Sequence, residues 1–145
     1  MYTIKDISEK FNLSISTIRY YDKERLLKNI KRENGIRKFT DNDISTIFYI
    51  ECLKKSGMQI KEIKQFLDYA SKGDSTLQNR LDMIVTQREK VESEIIELQK
   101  VLKLLKYKTW YYTKAVELNS ENKVKNISLN EMPVDIKNYH LEPKN

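Results

Sequence analysis

Cysteine and histidine, the side chains most often used for nucleophilic and acid–base chemistry, occur once each in this chain of 145 residues, as Cys52 and His140. Cys52 has no base near it in sequence, and His140 stands in a polar C-terminal stretch. No nucleophile–base pair is visible, so an enzyme is not expected, and neither is a cofactor. A single thiol also rules out an internal disulfide framework and a soft-metal site built by one chain. Clustered positive charge is what stands out. Arg19, Lys23, Arg25, Lys28, Lys31, Arg32, Arg37 and Lys38 face only Asp22, Glu24 and Glu33 across residues 19–38, a net +5 within a chain of net +6. Cations at that density release counterions from a phosphate backbone. A charge run alone is more often a solvated face; here Tyr20 and Tyr21 are interleaved with it, and phenolic hydroxyls donate to phosphate.

The elements that would carry these residues reverse the bland reading. Thr3 can cap a helix from Ile4 to about Phe11, with Ile4, Ile7 and Phe11 as its buried stripe and Asp6 in its first turn. Asn12 makes a turn, and Ser14 caps a second helix toward Arg25 in which Ile18 points inward while Ser16 and Arg19 point out. Two short helices so closely joined form a helix-turn-helix. Of Tyr20 and Tyr21, one ring is expected to face the core and the other the DNA backbone. Asn34–Gly35 within Ile30–Phe39 signals a hairpin. A helix showing Arg19 and Tyr20, followed by a hairpin carrying Lys31, Arg32, Arg37 and Lys38, is the form of a winged helix-turn-helix.

Thr40 and Asp43 form a capping box that opens a third helix to about Lys55, with Ile44, Ile47, Phe48 and Leu53 as candidate core and Gly57 closing it. By this spacing Cys52 faces the core or its border. A fourth helix from Ile60 to Ala70 buries Ile60, Ile63, Phe66 and Leu67. From Ser75 a heptad seam runs through Leu77, Leu81, Ile84, Arg88, Val91, Ile95, Leu98, Leu102, Leu105, Thr109 and Tyr112 in alternating steps of four and three. So long a stripe cannot hide on so small a head, and self-pairing into a dimer is expected, with Arg88 as a polar residue able to fix register. Tyr107, Trp110, Tyr111 and Tyr112 widen its apolar side near the end; packing and a small-molecule pocket are both open there. After about Leu118 the polar composition, with Pro133 and Pro143, predicts an extended or partly disordered tail. No run approaches the roughly 18 apolar residues of a bilayer span, and MYTIKDISEKF lacks a signal-peptide core, so a cytoplasmic protein without a membrane partner is expected.

STIRYYDKERLL at residues 16–27, RENGIRKFT at 32–40, KKSGM at 54–58 and IKEIKQFL at 60–67 together resemble the MerR family of bacterial transcription regulators. The resemblance covers residues 1 to about 70 closely and the following helix in kind. It implies an all-α fold with a small β-hairpin wing: a winged helix-turn-helix head over 1–72, a dimerisation helix over 75–117 pairing as an antiparallel coiled coil, and a tail over 118–145. It implies a homodimer on a near-palindromic promoter operator, distorting the double-stranded DNA so that RNA polymerase can use it. Ser16, Thr17, Arg19 and Tyr20 then belong to the recognition helix, Tyr21 is a backbone contact or core support, and Arg37 is the wing arginine beside Lys31, Arg32 and Lys38. Three positions depart from the family pattern: Arg25 stands where glycine is usual, Asn29 where proline is, and Ile36 where tyrosine is. Arg25 must close its helix without glycine's freedom, at about 1 kcal/mol, and can add a phosphate contact.

Cys52 before Gly57–Met58, together with YKTWYYTKAVE at 107–117, resembles the single-cysteine branch that responds to aldehydes and other electrophiles. Lys55 and other nearby cations would favour its reactive thiolate; a small buried hydrophobe is the plainer role for a free cysteine. Two other readings remain: induction by a small apolar ligand at Tyr107, Trp110 and Tyr111, or a coiled-coil interaction module whose head binds protein.

Overall fold

The computed structural model describes residues 1–28 and 30–140; Asn29, Pro143 and the side chain of His140 lie outside the described residues. The chain divides into two compact units, Met1–Val91 and Glu92–Asn145, with the boundary inside its longest helix.

The first unit opens with α1 (Ile4–Phe11) and α2 (Ile15–Lys23). Thr3 and Asp6 close a reciprocal capping box on α1, and Ser14 accepts from the Thr17 amide at 3.1 Å on α2. Between them Asn12 takes φ 52°, the left-handed turn that ends α1. α2 ends in a Schellman motif: the Leu26 amide donates to the Tyr21 carbonyl and the Arg25 amide to that of Asp22. Arg25 occupies its left-handed position at φ 59°, a backbone that favours glycine.

Strands β1 (Lys31–Glu33) and β2 (Ile36–Lys38) form an antiparallel ribbon joined by Asn34 and Gly35 at φ 49° and 77°, the two positive values a type I′ turn requires. Tyr2 pairs with the fully buried Phe39 through two 2.8 Å backbone bonds, so the chain's start anchors the wing's exit strand. No sequence signal marked this pairing.

Helix α3 (Asp41–Lys55) begins at the Thr40–Asp43 capping box. It ends in a second Schellman motif, with Met58 donating to Leu53 and Gly57, at φ 90°, to Lys54. Its buried stripe is Asp43, Ile47 and Ile50, with Ile44 and Leu53 packed alongside. Phe48, expected in the core, is instead 57% exposed, and Cys52 is exposed rather than at the core border. The reason is phase: α3 is apolar on both sides, and Phe48, Tyr49 and Cys52 lie off the 43–47–50 line. α4 (Ile60–Ser71) buries Ile63 and packs Ile60 and Leu67 on the core shared with Ile7, Ile18, Tyr21, Leu26 and Phe39. A 3-10 turn, Asp74–Thr76, leads into α5 (Leu77–Leu118), of 42 residues. Near its start Thr76, Arg80, Met83 and Gln87 turn away from solvent, while the seam positions Leu77, Leu81 and Ile84 stay exposed.

In the second unit, the remainder of α5 is followed by α6 (Glu121–Lys125), a 3-10 turn at Leu129–Glu131 and α7 (Val134–His140). Where an extended or partly disordered tail is expected over 118–145, the described residues 121–140 carry helical elements, and 141–145 lie outside the described residues. Asn119 at φ 53° reverses the chain, with the Ser120 amide donating to Ala115, and Ser120 then caps α6. Two isolated apolar residues, Val124 and Ile136, are buried, and the Tyr111 hydroxyl donates to Glu121. No helix among the described residues is long and apolar enough to cross a membrane.

Candidate nucleic-acid interface

Hairpin register brings the wing's cations together in like-charged pairs: Lys31 lies opposite Lys38, and Arg32 opposite Arg37. Like charges directly across a ladder destabilise it. The structure offsets one pair with an acid from α2: Asp22 Oδ2 accepts from Arg37 Nε at 2.7 Å and lies 3.6 Å from Arg32 Nη2. The wing is thereby tied to α2 while its cation excess stays on the surface. A polyanion is the ligand such a ribbon fits.

On α2, Arg19 is exposed and makes no ion pair among the described residues, and Tyr20 beside it is 44% exposed. Tyr21 is 1% exposed, so one ring faces solvent and the other the core. Tyr21 is thus core support: its hydroxyl donates to Glu51 Oε1 at 2.6 Å and accepts from Lys54 Nζ at 2.7 Å. Burial first, then the Glu51 carboxylate, holds this phenol well above its ordinary range. Ser16 and Thr17 sit at the helix N-terminus, their hydroxyls 2.8 Å from that of Ser14. Arg25 is exposed past the C-terminus. Lys28 is drawn to α4, 2.7 Å from Asp68.

Cys52 lies on the exposed side of α3 with Phe48 and Tyr49. Along α5 the seam leucines and isoleucines at 77, 81, 84, 95, 98, 102 and 105 are 41–67% exposed, and Val91 is half-buried. The Tyr107 ring lies tilted at 6.2–6.3 Å, centre to centre, from those of Trp110 and Tyr111, and Tyr111 is buried. Burial, then Glu121, raises the Tyr111 hydroxyl above its ordinary value. A shallow depression in that unit is lined by Thr109, Tyr112, Thr113, Val116 and Glu117 along the seam side. Gln87, a polar residue that hydrophobic patterning passes over, is 8% exposed and bonded to the end of α3.

An exposed arginine–tyrosine pair on the second helix of a helix-turn-helix, beside a cationic wing, defines a winged-helix DNA-binding protein. The pattern for the MerR HTH family regulatory protein matches residues 2–70, and that for the MerR DNA-binding region matches 46–107. An uncharacterized HTH-type transcriptional regulator of Haemophilus influenzae is 41% identical over 133 residues, 91% of this chain and 96% of that one. The crystal structure of HiNmlR, a MerR family regulator lacking the sensor domain and bound to promoter DNA, is 40% identical with a TM-score of 0.77, covering 91% of this chain and 98% of that one. A MerR family regulator from Bacillus thuringiensis is 38% identical with a TM-score of 0.64, over 74% and 96%. The chain belongs to the MerR family. It is a DNA-binding transcriptional regulator and not an enzyme.

Proposed function

We propose that the protein acts as a homodimer on a near-palindromic promoter operator, distorting the DNA so that RNA polymerase can engage, and that a reactive aldehyde or related electrophile switches it through Cys52. The observation that carries this reading is the bare seam of α5: Leu98 is 67% exposed and Leu105 56%, on a helix whose pattern is a coiled-coil repeat. Covering such side chains with a second copy is worth on the order of 1 kcal/mol each for the half still exposed. A dimer then presents two recognition helices, and half-site spacing follows from its two-fold geometry. Exposure of Cys52 on α3 supports the switch, because an electrophile reaches the sulfur without opening the core. Operation at a promoter places the protein in the cytoplasm.

Ligand induction at Tyr107, Trp110 and Tyr111 is the second reading. It is favoured by Trp110 Nε1, a buried donor that has no partner among the described residues. Sedimentation and permanganate footprinting on the DNA upstream of the protein's own gene test the proposal, with and without methylglyoxal. The expected result is a dimer whose footprint gains reactive central thymines on treatment, and none with Cys52→Ser. Equal gain with both proteins would move induction to the aromatic cluster. A monomer, or an unreactive footprint throughout, would overturn the reading.

A further inference from the structure

The last turn of α3 is joined to two other helices by side-chain hydrogen bonds. On one side the Tyr21 hydroxyl from α2 bonds Glu51 and Lys54. On the other, Gln87 Nε2 from α5 donates to the Ser56 carbonyl at 2.5 Å. The Schellman motif satisfies the carbonyls of Leu53 and Lys54, and Gln87 satisfies that of the cap residue Ser56. A methyl group added at Gly57 would stand 3.5 Å from Gln87 Nε2, so the amide lies directly over the turn. Gln87 is also the one polar residue of α5 that is buried among the described residues. An apolar side chain would fill that space but give no direction; a buried donor aimed at one carbonyl fixes orientation as well as distance.

We infer that Gln87 is the positioning residue that sets the angle between the recognition helix and the dimerisation helix, the last turn of α3 serving as the rigid piece between them. In a dimer that angle fixes how far apart, and in what phase on the duplex, the two recognition helices lie. The inference rests on the two-headed reading proposed above. It names Gln87 rather than a seam residue as the determinant of half-site spacing. The Ser56 amide in turn donates to the Cys52 carbonyl at 3.2 Å, so a change of backbone at Cys52 reaches Gln87 within one turn.

The test uses the full chain and its footprinted operator, remade with one base pair inserted or removed between half-sites. Wild type is expected to favour native spacing by about tenfold or more, since one base pair rotates a half-site by roughly a tenth of a helical turn. Gln87→Met, similar in shape but without the donor, should bind native spacing within about twofold of wild type and discriminate by less than about threefold. Gln87→Leu, apolar and likewise without a donor, serves in the same way should the methionine variant fail to fold. Gln87→Lys returns an N–H donor of similar reach and should restore discrimination. Wild-type discrimination in Gln87→Met, or a loss of affinity in step with melting temperature at unchanged discrimination, overturns the inference alone. If wild type ignores spacing, the two-headed reading fails, and this inference with it.

Discussion

Asp22 Oδ2 stands 2.7 Å from Arg37 Nε, the shorter of the two ion pairs by which Asp22 joins the recognition helix to the wing. The arginine is 25% exposed and the aspartate 21%, so the pair is shielded more than a surface bridge and keeps direction as well as charge. The helix holds Arg37 through Nε.

Asp22→Asn should therefore act on specificity more than on affinity. Removing an acid from the cationic face should tighten binding to scrambled duplex. A loosened Arg37 should lower the ratio of operator to scrambled binding by about tenfold. Fluorescence anisotropy at several salt concentrations measures both; an unchanged ratio would show that the pair does not position the wing.

Arg25 holds a left-handed backbone at φ 59° with no glycine freedom. Arg25→Gly should raise folding stability by about 1 kcal/mol in urea denaturation. It should also shallow the slope of log K against log salt by about one if the guanidinium meets phosphate. Stability without a slope change would make Arg25 a closing residue only.

Tyr21 gives a pH dependence of known sign. Its folded value is raised above the ordinary 10.0, so its contribution to stability is full below about pH 10 and falls as pH rises beyond that. Wild type should lose up to about 1.4 kcal/mol per pH unit from this group above pH 10. Tyr21→Phe, less stable by about 1 kcal/mol at pH 8 for its lost hydrogen bonds, should show a shallower alkaline decline. Parallel curves would place the alkaline sensitivity elsewhere.

The ends of elements were the most legible part of the sequence. Thr3, Ser14 and Thr40 cap where their spacing predicts, and Asn34–Gly35 turns the wing, because these are local geometries fixed by one or two residues. The seam was legible as a period. Long-range choices were not. Whether Phe48 or Ile50 enters the core depends on what α3 meets, since both its sides are apolar. The Tyr2–Phe39 bridge joins residues far apart in sequence with no pattern between them. Gln87 and Arg80 face the head as polar residues, invisible to a reading that follows apolar spacing. Val124 and Ile136, buried within a polar stretch, are two side chains that a composition average passes over.

Leu98→Glu with Leu102→Glu places two charges on the seam where both leucines are at least half exposed in the single chain. The head should keep its fold by circular dichroism while sedimentation reports a monomer. Operator affinity should fall about 100-fold as the second head's effective concentration is lost. A dimer that survives both charges would place the interface on another face of α5.

Transcription in vitro from the promoter beside the protein's own gene tests the account most directly. Wild type and Cys52→Ser would be compared with and without a reactive aldehyde. Both proteins should occupy the promoter, and only wild type should raise transcript on aldehyde treatment. Equal responses from the two proteins, or occupancy without any change in transcript, would contradict it.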